Sequence, residues 1–390
     1  RSTLFLIIFF ITVILIVSID AFTQFYTWQS RIKIGRFNTE VDWHHKVLKK
    51  SQKWLVKTPV IKLTDNNRLT IIDMLKGNYQ RSAIQAWQEA ALVLGLSSRY
   101  LKTRDAAIKL EIEQFFISKT TAEGGWKIKP TEADHAILAY ALLNADFLDA
   151  YRYKKAMDET YQMILSLKGD DGTVSYKKHT ADVRFVDTVG FICPFLTAYG
   201  LLFKKLEAVD LAVLQILEFK RHGMLNERSI PCHTYQVATK LPIGLFGWGR
   251  GLGWFVIGLI DTWHTLPPDH AAREELENII IDTVHSSIEF QNEKGGFHWL
   301  LFDRRTRLDS STAATLALFY TLAASIPEIS EICHAARAKC LHYLQSVTRR
   351  NGAIDFSQGD TKGIGVYSQN FDILPFTQGF VLRTLNTPIQ

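Results

Sequence analysis

Twelve segments with apolar residues spaced three and four apart follow one another along the chain, with almost no strand-like alternation. Such spacing places the apolar side chains on one face of a helix, so the pattern predicts twelve amphipathic helices and an all-α fold. The segments cover about 42–56, 82–101, 104–118, 133–147, 150–167, 186–204, 208–221, 250–266, 270–291, 309–324, 328–347 and 376–386.

A glycine turn recurs between alternate helices, as in Glu123–Trp126 and Asn351–Ile354. Successive turn glycines lie 47, 51, 73 and 56 residues apart, at positions 125, 172, 223, 296 and 352. Each interval holds one helical hairpin, which cannot bury its apolar face alone, so neighbouring hairpins must stack. With the opening pair there are six hairpins, and six close into a ring. The sequence therefore predicts an (α/α)6 barrel whose inner helices begin at one mouth.

The interval of 73 residues contains an insertion, residues 226–249. Long structureless insertions in compact domains are usually functional. We expect this one to form a wall of a cleft at the barrel mouth.

Residues 4–19 read LFLIIFFITVILIVSI, with 14 apolar residues of 16 and no charge. Extended to Ser2 and Phe22, the stretch reaches the roughly 20 residues that span a bilayer. No small-x-small cleavage pattern follows, so we expect an uncleaved membrane-spanning helix rather than a removed signal peptide. This gives an anchor at 1–22, a polar connector at 23–40 and the barrel at 41–390. The flanking charges leave open which side of the membrane the barrel occupies.

The net charge of +6 comes from scattered Lys and Arg residues interleaved with 39 acids. Because basic runs with interleaved aromatics are absent from the sequence, nucleic acid is not an expected partner, whereas a polyanionic glycan suits the positive balance. The four cysteines form no C-x-x-C pair, and no His or acid cluster has ligand spacing. We expect no metal and no cofactor. The oligomeric state is left open.

Two tryptophans and one arginine stand among four glycines in Gly247–Trp254, where a loop becomes an apolar helix. Glycine lets the backbone approach a ligand closely, tryptophan offers a flat apolar face, and arginine offers a planar fork for a carboxylate. The combination suits an acidic sugar. A tight turn whose tryptophans fill the core is the structural alternative.

The run Trp248–Trp254 resembles the Trp-(Ala/Gly)-Arg-Gly-x-Gly-Trp signature of the unsaturated glucuronyl and rhamnogalacturonyl hydrolases, glycoside hydrolase families 88 and 105. Three further segments resemble the families' motifs in the same order. These are Val186–Leu196 (Asp-Thr-x-Phe-x-x-x-Pro-Phe-Leu), Asp309–Ala313 (Glu-(Thr/Ser)-Ser-x-(Ser/Ala)) and Thr377–Phe380 (Gly-Gln-Gly-Ala/Phe). The resemblance extends over about residues 40–388.

The resemblance implies two catalytic carboxyls. Asp187 matches the families' proton donor, although an Asp at a predicted helix start can also be a plain N-cap. Asp134 matches a second aspartate that holds substrate hydroxyls and influences the acid, again with a cap as the alternative.

The resemblance also implies a set of substrate-binding residues. His233, inside the insertion, matches a His-x-(Trp/Tyr) motif, and Arg250 would face a carboxylate or hydroxyl of the sugar. Trp248 or Trp254 would provide a stacking face. Ser311 would offer a hydroxyl, but Asp309 stands where the families usually have Glu, which puts the role of that position in doubt.

The implied activity is hydrolysis of oligosaccharides that end in a 4,5-unsaturated uronic acid, by hydration of the vinyl ether. Two alternatives stay open: a membrane-anchored barrel that binds or assembles glycans without catalysis, and another glycosidase or lyase on the same barrel. The run Gln291–Trp299 superficially resembles a turn of isoprenoid cyclases, but Asp170-Asp171 in a glycine turn does not fit their acidic motif.

Overall fold

The computed structural model describes residues 2–62, 64–66, 68–80, 84–225 and 227–388. Within these ranges the chain forms fourteen α-helices: α1 (Ser2–Arg31), α2 (Glu40–Val56), α3 (Thr70–Leu75), α4 (Ala86–Thr103), α5 (Ala106–Lys119), α6 (Ala136–Leu143), α7 (Lys154–Ser166), α8 (Val186–Leu202), α9 (Leu206–Gly223), α10 (Gly249–Thr265), α11 (Arg273–Ile288), α12 (Ser310–Ala323), α13 (Ser330–Ser346) and α14 (Pro375–Asn386).

The even-numbered helices from α4 to α14 form a closed ring. Each packs against the next in the order α4, α6, α8, α10, α12 and α14, and α14 packs back against α4. The helices α5, α7, α9, α11 and α13 cover this ring from outside, and α2 packs against α4 and α14. The predicted (α/α)6 barrel is therefore confirmed, and so are its twelve helices. The predicted start of one helix at 82–83 lies outside the described residues.

The inner helices are buried nearly all around. All fourteen residues of α12 are buried, as are the first twelve of α4. Two inner helices touch backbone to backbone, since a Cβ atom on Gly95 in α4 would lie 2.4 Å from the carbonyl oxygen of Gly379 in α14. Only glycine permits that approach. The ring therefore closes through a seam between α4 and α14.

An ion pair crosses the interior of the barrel near the ends of the inner helices. The Nη1 and Nη2 atoms of Arg383 on α14 lie 2.7 and 2.8 Å from the two carboxyl oxygens of Asp261 on α10. Both side chains are buried. A bidentate, charge-assisted contact offsets part of the free-energy cost of taking both charges out of water. The pair links helices on different sides of α12, away from the end where the inner helices begin.

Two small antiparallel sheets cover the end where the inner helices begin, which we call the mouth. In one, β3 (Ile230–Gln236) pairs with β1 (Val183–Phe185), β2 (Met224–Leu225) and β4 (Pro242–Phe246). In the other, β5 (Ser357–Gln358) pairs with β6 (Phe371–Asp372). The insertion is thus largely a β-hairpin rather than an irregular loop, although Asn226 at its start lies outside the described residues. Because all but the last residue of β3 is buried, the strand shows no alternation of polar and apolar residues.

The N-terminal helix α1 continues to Arg31, so residues 23–31 of the predicted connector are helical. None of its residues is buried by the barrel. Its length and composition would allow it to cross a membrane, two properties that it shares with signal sequences. The boundaries at 22 and 40 remain a prediction.

Candidate active site

A cavity of about 310 Å³ opens at the N-terminal ends of α4, α8 and α10. Its walls come from those helices, from β3 and from two loops, residues 176–180 and 360–363. Five of the seven residues predicted for the site line it: Asp187, His233, Trp248, Arg250 and Trp254. A wider cleft of about 470 Å³ lies beside α9 and the β-hairpin, but its lining acid, Glu227, is exposed. The chemistry is therefore concentrated in the mouth cavity.

Asp187 occupies the second position of α8. The N-cap residue is Phe185, and no side chain caps this helix, so Asp187 is not the structural cap that its position in the sequence allowed. Its side chain is 15% exposed, and among the described residues its Oδ2 atom has no hydrogen-bond partner. Burial raises the pKa of Asp187 to about 7, and the nearby charge of Arg250 opposes that rise. The residue is thus a carboxyl that holds its proton close to neutral pH.

His233 projects from β3 toward Asp187. Its Nε2 atom lies 3.7 Å from Oδ2 of Asp187, and its Nδ1 atom lies 3.1 Å from the hydroxyl of Tyr367. That hydroxyl accepts a hydrogen bond from the backbone N–H of Leu245 at 3.3 Å, so its own proton is free to point at Nδ1. With the hydroxyl as donor, the imidazole proton lies on Nε2, on the side of Asp187. Burial, aided by the charge of Arg250, lowers the pKa of His233 to about 4, which keeps the ring neutral.

The guanidinium of Arg250 is bonded to the last residue of β5 and to the loop that follows it. Nη1 donates to the carbonyl of Gln358 at 2.5 Å, and Nη2 donates to the carbonyl of Gly359 at 2.7 Å. The side chain is 2% exposed, yet it lines the cavity. Arg250 therefore fixes one wall of the cavity and supplies a buried positive charge there.

Both tryptophans of the glycine-rich run line the cavity and also pack in the core. The indole Nε1 of Trp248 donates to Oε1 of Gln358 at 2.9 Å, and its ring centroid lies 4.8 Å from that of His233. The ring of Trp254 lies 4.4 Å from Phe191 and 5.8 Å from Trp87. The two interpretations drawn from the sequence, core residue and cavity wall, thus apply together.

Asp134 lies just outside the cavity lining. It sits in a 3₁₀ turn before α6, is buried, and caps no helix. Its Oδ1 atom is 3.2 Å from Nδ1 of His135, without hydrogen-bond geometry. Burial is the main cause of the raised pKa of Tyr176, and the negative charge of Asp134 adds to it. The same charge helps to raise the pKa of Asp360. Asp134 is therefore near enough to influence the pKa values of residues that line the cavity, while its catalytic role stays a prediction.

Ser311 is not brought to the cavity. It is fully buried at the start of α12, where its hydroxyl donates to Oδ2 of Asp309 at 2.6 Å. Asp309 is the N-cap of that helix and also accepts hydrogen bonds from the backbone N–H groups of Thr312 and Gln358. Both side chains are thus committed to the cap, and the contact of Ser311 with substrate stays a prediction.

Residues that the sequence did not single out complete the site, and most come from the loop between β5 and β6. Asp360 lines the cavity, and burial raises its pKa against the opposing charge of Arg250. Tyr367 holds His233, and Gln358 holds Trp248. In the sequence, the one signal that could have indicated these residues was the unusual length of the connection between α13 and α14, residues 347–374.

The cavity combines acids, cations and aromatic walls. Lys177 and Lys362 stand at its edge, paired with Glu132 at 2.7 Å and Asp65 at 3.2 Å. Within the described ranges, no three His, Cys, Asp or Glu side chains are arranged to hold a metal ion. The arrangement can give up a proton near neutral pH beside aromatic faces on which a sugar ring can stack.

Comparison with known proteins gives a consistent result. The sequence pattern of glycosyl hydrolase family 88 matches residues 44–370. A solved structure of a possible GH105 member from Salmonella enterica is 17% identical, with a TM-score of 0.75, and the match covers 90% of this chain and 94% of that one. The unsaturated glucuronyl hydrolase from Bacillus sp. GL1 is 15% identical, with a TM-score of 0.66, and the match covers 92% of this chain and 96% of that one. At these identities, the structural likeness shows the fold alone.

Proposed function

Because the chain belongs to glycosyl hydrolase family 88, and is therefore a glycoside hydrolase, we propose that it acts on acidic oligosaccharides with a 4,5-unsaturated uronic acid at the non-reducing end. The unsaturated glucuronyl hydrolase of Bacillus sp. GL1, described as responsible for the degradation of glycosaminoglycan, offers a precedent for such a substrate on this fold.

One observation carries the proposal: Asp187 presents to the cavity a carboxyl with a pKa of about 7, and its Oδ2 atom has no hydrogen-bond partner among the described residues. A general acid works best when its pKa lies near the operating pH. An ordinary carboxyl, with a pKa of 3.8, would have lost its proton at neutrality.

The proposed reaction is a hydration. Asp187 gives its proton to C4 of the unsaturated sugar, and positive charge develops at C5 and the ring oxygen. The carboxylate of Asp187 then takes a proton from a water molecule whose oxygen bonds to C5. The resulting hemiketal opens, the glycosidic oxygen leaves with a proton, and the next sugar is released. Asp187 ends the cycle protonated, so one water is consumed and no other reactant is needed.

The remaining residues are assigned roles by their positions. His233 presents its Nε2–H beside Asp187, where it can hold the carboxylate formed after proton transfer. The positive charge of Arg250 favours an anionic sugar in a buried cavity, where electrostatic interactions are stronger than in water. Trp248 and Trp254 would flank the ring, and Asp134 would act on the acid from behind the cavity. We further propose that α1 anchors the enzyme in a membrane.

The direct test is incubation with disaccharides produced by polysaccharide lyases. Turnover destroys the conjugated double bond, so its ultraviolet absorbance should fall with time. The same disaccharide with its double bond reduced is the control and should remain intact. Cleavage of the saturated control at an equal rate would point to an ordinary glycosidase. Binding of both disaccharides without turnover would support the alternative of a glycan-binding barrel.

A further inference from the structure

The N-terminal helix meets the barrel at its mouth. The Nε atom of Arg31, the last residue of α1, lies 2.7 Å from Oδ2 of Asp355, and Nη2 donates to the carbonyl of Phe371 at 3.2 Å. The guanidinium also stacks 4.7 Å from the ring centroid of Phe356. These three partners belong to the connection between α13 and α14, the same connection that supplies Asp360 to the cavity.

A second contact joins α1 to α3. The carboxyl of Asp20 accepts the backbone N–H groups of Leu69 at 2.7 Å and Thr70 at 3.0 Å. Asp20 directly follows the uncharged apolar stretch of α1. The contact therefore holds the short helix α3 at the level where the apolar part of α1 ends.

Large apolar side chains of α3 and its N-cap face solvent. Their exposed fractions are 46% for Leu69, 43% for Ile72 and 83% for Leu75. This surface continues the exposed apolar surface of α1. Cationic residues border both, with Arg68 and Lys76 flanking α3 and Lys33 and Arg36 following α1. An apolar surface edged by cations is the composition of a segment that lies in the interface of an anionic bilayer.

Polar contacts connect α3 to the edge of the cavity. Asp73 on α3 accepts the hydroxyl of Thr64 at 2.8 Å. The neighbouring Asp65 accepts the hydroxyl of Ser368 at 2.6 Å and lies 3.2 Å from Nζ of Lys362, which lines the cavity. The exposed apolar surface and the cavity opening thus belong to one end of the molecule.

We infer that Leu69 and α3 rest on the lipid surface beside the anchor and turn the mouth of the cavity toward the bilayer. The inference rests on the proposal that α1 spans a membrane. Two contacts, at Asp20 and Arg31, fix α1 against the barrel at separate points, so the barrel does not swing freely on a connector. The glycan that reaches Asp187 is then one held close to the membrane surface.

The test uses the full chain reconstituted in vesicles of phosphatidylcholine and phosphatidylserine. Its four cysteines are buried, so a fluorophore can be placed selectively on Leu75→Cys. The matched control is Leu206→Cys at the start of α9, an exposed leucine at the opposite end of the barrel. Lipids that carry a quencher near the headgroup should reduce the fluorescence at position 75 at least threefold more than at position 206.

If the protein floats with the vesicles but quenching is equal at the two positions, the inference is wrong while the proposed membrane anchor is supported. Shielding of position 75 from an aqueous quencher without quenching by lipid also overturns it, because that result indicates contact with another protein. If the protein does not float with the vesicles, both the proposed anchor and the inference are wrong. Turnover of the soluble unsaturated disaccharide, measured in the same samples, reports on the proposed reaction independently.

A charge substitution provides a second measurement. Ile72→Glu and Leu75→Glu should lower quenching of a fluorophore placed at Leu69→Cys severalfold, with turnover of soluble disaccharide unchanged. Unaltered quenching at position 69 in these variants would contradict a bilayer contact of α3.

Discussion

The Oδ2 atom of Asp187 lies 3.7 Å from the Nε2 atom of His233, too far for a hydrogen bond and close enough to form one after a small movement. At neutral pH the imidazole is uncharged and the carboxyl is about half protonated, since the pKa of His233 is about 4 and that of Asp187 is about 7. Proton transfer to a substrate creates a carboxylate at that point. The Nε2–H group is then positioned to receive it.

Substitution of Asp187 by Asn should abolish most catalysis without unfolding the protein. The amide keeps the shape of the carboxyl but cannot supply the proton, so turnover should fall by roughly 10²–10⁴-fold. Because Asp187 caps no helix, the melting temperature should not fall. Both quantities are measured on the same preparation.

Asp309→Asn is the matched control, since Asp309 is a true N-cap that accepts several hydrogen bonds. We expect it to lose about 1–3 kcal/mol of unfolding free energy while the rate per folded molecule is retained. If Asp187→Asn were instead destabilised and fully active, the proposed acid would be wrong.

The activity of the wild type should decline as the pH rises through about 7, because the acid form of Asp187 is required. The same pKa predicts an effect on stability. Between about pH 4 and pH 7 the folded chain holds a proton on Asp187 that the unfolded chain has released. The contribution of this group to the unfolding free energy therefore falls as the pH rises through that range.

His233 acts in the opposite direction, because its folded pKa is depressed and the unfolded chain binds the extra proton. Asp187→Asn removes only the first effect. Relative to wild type, its unfolding free energy should rise with pH by about 1.4 kcal/mol per unit across this range. Denaturant titrations at several pH values measure this slope, and parallel curves for the two proteins would contradict the raised pKa.

Arg250→Lys keeps the charge and loses the planar fork that reaches the carbonyls of Gln358 and Gly359. We expect kcat/KM to fall by the equivalent of roughly 1–3 kcal/mol, with the larger part in KM if the anionic sugar is bound equally in ground and transition states. Arg305→Lys, at a side chain that is 90% exposed, is the control for the exchange itself. Kinetics like those of wild type would show that Arg250 does not contact the substrate or shape its site.

Tyr367→Phe removes the hydroxyl that lies 3.1 Å from Nδ1 of His233. Without it the imidazole can carry its proton on either nitrogen, so kcat should fall about fivefold, the equivalent of one ordinary hydrogen bond. Nitrogen NMR of the histidine should show a shift from the Nε2–H form toward a mixture. Tyr151→Phe, at an exposed tyrosine, should leave both measurements unchanged.

The ring of helices could be predicted because each hairpin repeats the same apolar spacing and ends in a glycine turn. The places of Asp187 and Arg250 in the mouth cavity could be predicted because both residues stand in short motifs at helix starts. Tyr367 and Asp360 could not, because they lie in a loop whose path depends on partners more than a hundred residues away, such as His233 and Arg250. The place of Ser311 outside the cavity could not be predicted either, since a serine at a helix start can serve a cap or a ligand, and only the positions of Asp309 and the cavity distinguish the two.

The seam between Gly95 and Gly379 joins parts of the chain that are synthesised far apart in time. Contacts between such distant segments form slowly, because a long loop must close before they contribute. A growing chain can stack its hairpins in order, but α4 keeps an apolar face exposed until α14 has left the ribosome. The barrel is therefore expected to complete folding only after translation of its last inner helix, and a chain stopped before α14 should be captured by chaperones rather than accumulate as a smaller stable protein.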